Sequence, residues 1–114
     1  MQINIREQGE VTILDLAGEI RLDDERGDSL QDAVRSQIEA GKKSVLLNFK
    51  NLDFIDSSGL GAFLMCIRKL RSDGGEMKIC GMTSPVKALF ELVRMHRVCH
   101  VTETVDEAVE AFQN

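Results

Sequence analysis

After two opening strand-like segments, the sequence alternates between helical and strand periodicity up to its end. Apolar residues recur at helical spacing in four segments, and short apolar or alternating runs separate these segments. The run Ser44–Phe49 has a continuous apolar character, which is typical of a strand covered on both faces. Strand–helix–strand connections of this kind give parallel strands with right-handed crossovers. The order β-β-α-β-α-β-α-β-α therefore predicts an α/β fold, in which about four helices cover a mixed sheet of four to five strands.

The predicted strands begin with an N-terminal antiparallel hairpin. The turn Gln8-Gly9-Glu10 is short enough to close it. We predict Lys50–Asp56 to be a loop between a strand and a helix. We expect strands at Gln2–Arg6, Val11–Ala17, Ser44–Phe49, Glu76–Cys80 and around Val98–Val101.

Signals at the helix ends define four predicted helices. Gly41 ends the first helix, as a glycine just past a helix often does. Ser84 is the expected N-cap of the third, with a proline behind it at the first helical position. Thr104 and Glu107 have the spacing of a capping box. We expect helices from about Asp24 to Ala40, from Ser57 to Arg71, after Ser84-Pro85 and after Thr104.

Length and composition limit the class of protein. A chain of 114 residues, 43% hydrophobic and 29% charged, is expected to form one domain, residues 1–114. Its net charge of −5 argues against nucleic-acid binding, which needs a basic face to neutralise phosphates, although a small local basic patch is compatible with it. No apolar run is long enough for a membrane span, so we expect no direct membrane insertion.

The cysteines and the amino terminus indicate a cytoplasmic protein. Cys66, Cys80 and Cys99 are odd in number and far apart, with no C-x-x-C pair, so neither a disulfide framework nor a zinc ribbon is predicted. The first residues alternate and become acidic by Glu7, unlike a signal peptide. We expect a cytoplasmic monomer that holds no cofactor and no metal.

One segment, Phe54–Gly61, is unusual for the start of a helix. Serines behind Asp56 are compatible with ordinary capping. Glycines at positions 59 and 61 are not explained by capping, because each costs about 1 kcal/mol relative to alanine inside a helix. A first turn made of serines and glycines leaves its backbone bare for another molecule. It also places serine hydroxyls at the end of a helix that favours phosphate.

The order of elements and this motif resemble the STAS domain and, within that family, the small bacterial anti-sigma factor antagonists. The resemblance covers essentially the whole chain, and its most specific part is Asp-Ser-Ser-Gly-Leu-Gly at positions 56–61. Its other parts are Leu16–Ile20, Val45–Phe49, Gly74–Met77 and Ser84–Phe90.

The resemblance implies a phospho-switch. In the family, the serine directly after the motif aspartate is phosphorylated by an ATP-binding serine kinase of histidine-kinase-like fold that doubles as an anti-sigma factor. Carried over, this residue is Ser57, with Ser58 as the alternative position. The unphosphorylated protein binds the kinase and releases a sigma factor; a metal-dependent serine phosphatase reverses the modification. The expected partner-contacting residues are Asp56, Ser58, Gly59, Leu60, Gly61, Arg21, Asp23 and Asp24.

The loop after the second strand departs from the family pattern. Related antagonists commonly carry an aspartate shortly after a Gly-Glu turn, and here Arg21 occupies that place, with Asp23 and Asp24 following. Either the acid lies further along the loop or a cation faces the switch serine. In the second case, Arg21 would pair with phosphoserine.

Other chemistries fit the sequence less well. A serine hydrolase needs a base and a G-x-S-x-G elbow, and the elbow is absent, so we expect no catalytic residue and no enzyme. His96, Cys99 and His100 match no familiar metal-site spacing. The methionines, Met65 among them, are predicted to be packing residues. The alternative function is a STAS subunit that docks on a membrane transporter complex, of the ABC or anion-permease type, without a phospho-switch.

Overall fold

The computed structural model describes residues 2–20 and 29–113. These residues form one five-stranded sheet, four α-helices and a short 3-10 helix at Met95–Arg97. The strands are β1 (Gln2–Gln8), β2 (Val11–Ile20), β3 (Ser44–Ile55), β4 (Glu76–Cys80) and β5 (His100–Thr102). The α-helices are α1 (Ser29–Glu39), α2 (Ser57–Ser72), α3 (Ser84–Leu92) and α4 (Val105–Gln113).

The strands lie side by side in the order in which the chain forms them, β1-β2-β3-β4-β5. β1 and β2 form an antiparallel hairpin, and every later pair is parallel. Gly9 closes the hairpin with a φ of 63°, in the left-handed region that glycine adopts readily. The mixed sheet and its covering helices confirm the predicted fold class.

Alternation along the strands separates two layers of core. Leu14 and Leu47 point to a large cluster that also receives the apolar faces of α1, α2 and α3. Ile13 and Leu46, their neighbours in sequence, point to the opposite side, where Ala108 of α4 packs in a smaller cluster. Three helices therefore cover one face of the sheet, and α4 covers part of the other.

Three phenylalanines join the elements of the larger cluster. Phe49 of β3, Phe63 of α2 and Phe90 of α3 are fully buried, and their ring centroids lie 5.5 to 5.9 Å apart with edge-on geometry. Aromatic pairs favour this arrangement. The triad fixes α2 and α3 against the central strand and so fixes the direction of α2.

The predicted loop Lys50–Asp56 is wrong for most of its length, because β3 continues to Ile55. The cause is pairing with β2, which itself extends beyond Ala17 to Ile20. This parallel pair contains register shifts between Asp15 and Ala17 and between Gly18 and Glu19. The polar residues that resemble a loop are the exposed positions of a strand end, while Leu52 remains buried.

Smaller corrections concern two other element ends. The N-cap of α3 is Thr83, so Ser84 is the first helical residue and the proline follows it. The last strand begins at His100, because the preceding residues form the 3-10 helix. The capping interaction predicted for α4 is present, since the Glu107 amide donates to the Thr104 hydroxyl at 3.1 Å. In the described part of the chain, no helix is both long and apolar enough to cross a membrane.

Candidate functional site

The junction of β3 and α2 is organised by Asp56. This residue has an extended backbone (φ −89°, ψ 172°) and is the N-cap of α2. Its carboxylate accepts a hydrogen bond from the Gly59 amide at 2.6 Å, and its carbonyl accepts one from the Leu60 amide at 3.1 Å. An N-cap side chain satisfies a helix amide that has no partner within the helix. The cap is therefore the aspartate, and Ser57 and Ser58 are the first two helical residues.

Two apolar residues brace this junction from inside. Ile55 precedes the cap and Leu60 is the fourth residue of the helix, which are the positions of a hydrophobic staple. Both are buried in the larger core cluster. The chain therefore leaves the sheet and enters the helix at a fixed angle, and the first turn of α2 has a defined place at the end of the sheet.

The exposed side of α2 includes positions 61 and 65. These two residues are four apart in the sequence and therefore lie along one side of the helix. Gly61 is exposed, and a β-carbon added there would meet nothing within 4 Å. The Met65 side chain is 56% exposed. The fold itself does not need a glycine at position 61, and a large apolar side chain next to it faces solvent.

The end of β2 lies next to the same junction. Ile20, its last residue, pairs with Ile55, directly before the cap. Gly18 has a φ of 99° between the two register shifts, a conformation that favours glycine, and irregularities of this kind bend a strand. The predicted contact residues Arg21, Asp23 and Asp24 follow Ile20 in sequence and lie outside the described residues.

The structure separates the predicted site residues into two groups. Asp56, Gly61 and the backbone of the first helical turn are brought together at the junction. Gly59 is buried, with its amide engaged in the cap, and the Leu60 side chain lies in the core rather than at the surface. Met65 was predicted to be a packing residue, and this prediction is wrong because it faces solvent. The sequence feature that could have indicated the exposure of Met65 is its position four residues after Gly61, which places both residues on one side of the helix.

A polar network lies on the face of the sheet opposite to α2, in the part of that face that α4 leaves uncovered. Arg6 donates to Asp15 at 2.7 Å, and the Asn48 amide donates to the same carboxylate at 2.8 Å. Burial alone would raise the pKa of Asp15, but these hydrogen bonds outweigh burial and hold its pKa below the ordinary value. The network borders an open cavity of about 880 Å³. It links β1, β2 and β3 and lacks the nucleophile–base pair that acyl transfer requires.

Two of the three residues considered as metal ligands, Cys99 and His100, have other contacts. The Cys99 thiol is buried and donates to the Met77 carbonyl at 3.1 Å. The His100 Nδ1 lies 3.2 Å from the ammonium of Lys78, a buried side chain that also donates to Glu76 at 2.9 Å. Among the described residues, no three histidine, cysteine or acidic side chains are grouped to hold a metal ion.

The chain is similar in sequence to bacterial anti-sigma factor antagonists. The chain is 31% identical over 99 residues to an anti-sigma F factor antagonist of Paenibacillus polymyxa, across 86% of this chain and 83% of the relative. An anti-sigma-B factor antagonist of Staphylococcus aureus is 27% identical over 74 residues, across 65% and 68% of the two chains.

Solved structures share the fold. An anti-sigma factor antagonist from Mycobacterium paratuberculosis superposes with a TM-score of 0.87 at 16% identity, over 99% of this chain and 94% of the other. The antagonist SpoIIAA in its unphosphorylated form gives 0.74 at 20% identity, over 99% of both chains. The phosphorylated form of the Bacillus protein gives 0.72 at 21% identity, over 97% and 99%. The profile of the STAS domain matches residues 2–108, and the chain therefore belongs to the STAS domain family.

Proposed function

We propose that this protein is an anti-sigma factor antagonist controlled by phosphorylation of Ser57. In its unphosphorylated form it binds an anti-sigma factor and thereby releases a sigma factor. Phosphorylation ends this binding. Membership of the STAS family and the names of its relatives support the proposal, as does the existence of SpoIIAA in phosphorylated and unphosphorylated forms.

The observation that carries the proposal is the cap at Asp56. Because the Asp56 carboxylate accepts the Gly59 amide, the fold does not need a serine hydroxyl to begin α2. A serine that is not required for capping is available for another role. The first amides of a helix and its dipole favour a phosphate group, so a phosphoserine at position 57 is compatible with an intact helix.

The partner surface extends from the junction along α2. Gly61 allows a close backbone approach, and the exposed Met65 offers an apolar contact. A phosphate on Ser57 adds a charge of about −1.5 to −2 at the edge of this surface. Docking that buries this charge without a cation is unfavourable, and a loss of about 3 kcal/mol weakens binding roughly a hundredfold.

The partners follow from this role. The kinase is the anti-sigma factor itself, an ATP-binding protein of histidine-kinase-like fold, and a metal-dependent serine phosphatase restores the active form. ATP is used by the partner, and this chain acts without catalysis, cofactor or metal as a cytoplasmic monomer. Arg21, Asp23 and Asp24 follow the end of β2 in sequence and border the docking surface. Pairing of Arg21 with the phosphoserine is a separate hypothesis, and an unchanged stability of the phosphorylated form in Arg21→Ala would show that Arg21 is not a phosphate ligand.

The test compares four purified proteins: wild type, Ser57→Ala, Ser57→Asp and, as the matched control, Ser58→Ala. Each is immobilised and exposed to extract of the source cell, with and without ATP, and the retained proteins are identified by mass spectrometry. We expect wild type and Ser57→Ala to retain an ATPase that Ser57→Asp does not retain. With ATP, wild type and Ser58→Ala are modified at Ser57 and release the partner, whereas Ser57→Ala keeps it.

Equal retention of the ATPase by Ser57→Ala and Ser57→Asp would contradict the proposal. Modification at Ser58 in the wild type, with Ser57 unmodified, would move the switch by one residue. Retention of a transporter component by all four proteins, unaffected by ATP, would instead support a transporter-docking STAS subunit.

A further inference from the structure

Two segments without any acidic residue meet at the far end of α2. Residues 57–72 and 92–102 contain no aspartate or glutamate, although the chain has 19 acidic residues and a net charge of −5. They are joined where the Arg71 guanidinium donates to the Val98 carbonyl. The last turn of α2 and the 3-10 helix at Met95–Arg97 therefore share one surface.

This surface is basic. Arg68, Arg71, Arg94 and Arg97 are all exposed. Within the described residues, none of the four forms an ion pair with a carboxylate. Several other cations of the described residues do pair with a carboxylate, such as Lys43 with Asp73 at 2.9 Å. The charge of this region is thus not neutralised within the described part of the fold.

Two exposed apolar side chains lie directly before this surface in the chain. Leu92, the last residue of α3, is 79% exposed, and Val93 beside it is 46% exposed. They lie directly before Arg94 in sequence, at a turn rather than in a groove. Apolar side chains of this size are normally stabilised by burial, and here the fold leaves most of Leu92 in water.

The backbone of Arg94 gives an independent indication. Its φ of 61° and ψ of 26° place it in the left-handed region, and among the described non-glycine residues it alone has a positive φ. Glycine is the usual residue at this position after a helix. An arginine in this conformation is less favourable for folding than a glycine, which favours a role for its side chain in an interaction outside the fold.

We propose that these residues form a membrane-contacting surface, the basic–apolar patch, that adsorbs to bilayers rich in anionic lipid. The patch consists of Arg68, Arg71, Leu92, Val93, Arg94 and Arg97. Basic residues next to the bilayer attract anionic headgroups, and projecting apolar side chains enter the headgroup boundary. A bilayer accepts projecting side chains without a matching pocket, which distinguishes it from a folded acidic partner. Peripheral adsorption of this kind requires no membrane-spanning helix.

The acidic net charge is compatible with this orientation. At physiological salt, the Debye length is about 8 Å, so the acids on distant surfaces are screened when the patch faces the bilayer. The patch and Ser57 lie at opposite ends of α2, whose 16 residues span about 24 Å. The junction at Ser57 is therefore the part of α2 farthest from the bilayer on an adsorbed molecule, and the membrane proposal does not rest on the proposed function.

The test measures binding of the full chain to vesicles. One set contains phosphatidylcholine with about 30 mol% phosphatidylserine, the other phosphatidylcholine alone, each at about 50 and about 300 mM NaCl. We expect adsorption only to the anionic vesicles and weaker adsorption at high salt. Arg94→Gly should reduce the partition coefficient about fivefold, and adding Arg97→Gln should reduce it about 25-fold. Leu92→Ser should also weaken adsorption.

Two features make this test decisive. Arg94→Gly places glycine in the left-handed conformation, so its stability should equal or exceed that of the wild type, and misfolding cannot explain lost binding. Lys50→Gln, the matched control, removes an exposed cation outside the patch and should leave adsorption unchanged. Absence of binding to anionic vesicles at low salt, or equal losses in Arg94→Gly and Lys50→Gln, would overturn the proposal. Salt-sensitive binding of poly-L-glutamate without vesicle binding would also overturn it, in favour of an acidic polypeptide partner.

Discussion

The carboxylate of Asp56 lies 2.6 Å from the amide nitrogen of Gly59 and closes the first turn of α2. The residue between the sheet and the helix is thus held by its own side chain, and the serines that follow are not needed as caps. This relationship separates the structural role of the motif from its proposed regulatory role. The two roles can therefore be tested with different substitutions.

Asp56→Ala should lower the free energy of unfolding by about 1 kcal/mol, because the Gly59 amide loses its acceptor. Asp56→Asn should recover most of this loss, since asparagine is also a good N-cap. Urea denaturation at neutral pH measures both. Asp53→Ala, an exposed position of β3 just before the junction, is the control and should change stability by less than about 0.5 kcal/mol. Equal effects of Asp56→Ala and Asp53→Ala would contradict the capping role.

Gly61→Ala should raise the free energy of unfolding by up to about 1 kcal/mol, because alanine favours a helix and its methyl group enters open space. The same methyl group should weaken partner binding about tenfold or more if the anti-sigma factor approaches the backbone there. Thermal unfolding measures the first effect, and titration with the anti-sigma factor measures the second. A stabilised Gly61→Ala protein with unchanged affinity would remove this position from the partner surface.

Gly75→Ala is the matched glycine substitution and should have the opposite effect on stability. A β-carbon at position 75 would lie 2.7 Å from the Lys43 carbonyl and 2.6 Å from the Leu70 Cδ1. Because the carbonyl belongs to the backbone and accepts from the Glu76 amide, it has little freedom to move. We expect a loss of about 1 to 3 kcal/mol, measured by the same unfolding experiments. An unchanged or raised stability would mean that the crossover into β4 is looser than described.

Stability should fall in acid partly because of Asp15. Hydrogen bonds from Arg6 and Asn48 hold its pKa below that of the unfolded chain, in spite of burial. A lowered pKa contributes stability above the unfolded value, about 3.9 for aspartate, and this contribution is lost as the pH falls through the folded value. Asp15→Asn should therefore cost no more than about 1 kcal/mol at neutral pH, since Arg6 is half-exposed. The difference between wild type and variant should shrink below about pH 4, as chemical denaturation across pH would reveal. If the difference in the free energy of unfolding between wild type and Asp15→Asn did not change with pH, the charge of the Asp15 carboxylate would not be the source of the stabilisation.

The three thiols should be unreactive in the folded protein. Burial raises the pKa of Cys66 and Cys80 to about 11 and that of Cys99 to about 12. Because the thiolate is the nucleophile, alkylation by iodoacetamide near neutral pH should be at least about 100-fold slower than in urea. Mass spectrometry of the intact protein counts the modified residues over time. Rapid modification of any one thiol under native conditions would reveal local opening around that residue.

Strongly periodic segments could be predicted from the sequence nearly to the residue. β4 begins and ends at the predicted positions, Glu76 and Cys80, and α2 begins at Ser57 as expected. The polar end of β3 could not be predicted, because the strand continues past Phe49 only through the pairing of Asn51 and Leu52 with the end of β2. Such pairing depends on residues far apart in the sequence.

The candidate site could be predicted only in part, because some of its features are local in the sequence and others depend on distant residues. Local composition identified the serines and glycines of the motif, because their unfavourable effect within a helix is a local property. The exposure of Met65 depends on which side of α2 packs against the sheet, and no single segment determines that. The basic–apolar patch likewise forms only when Arg71 reaches Val98, 27 residues later in the chain.

The strands have the same order in space and in sequence, and this order is favourable for folding during synthesis. Each strand from β2 to β5 lies beside the strand that precedes it in the chain, so no later segment has to enter between two strands that are already paired. During synthesis, each new strand can therefore be added at one free edge of the sheet, starting from the hairpin. Each parallel step closes only one crossover, which keeps the entropy of loop closure small.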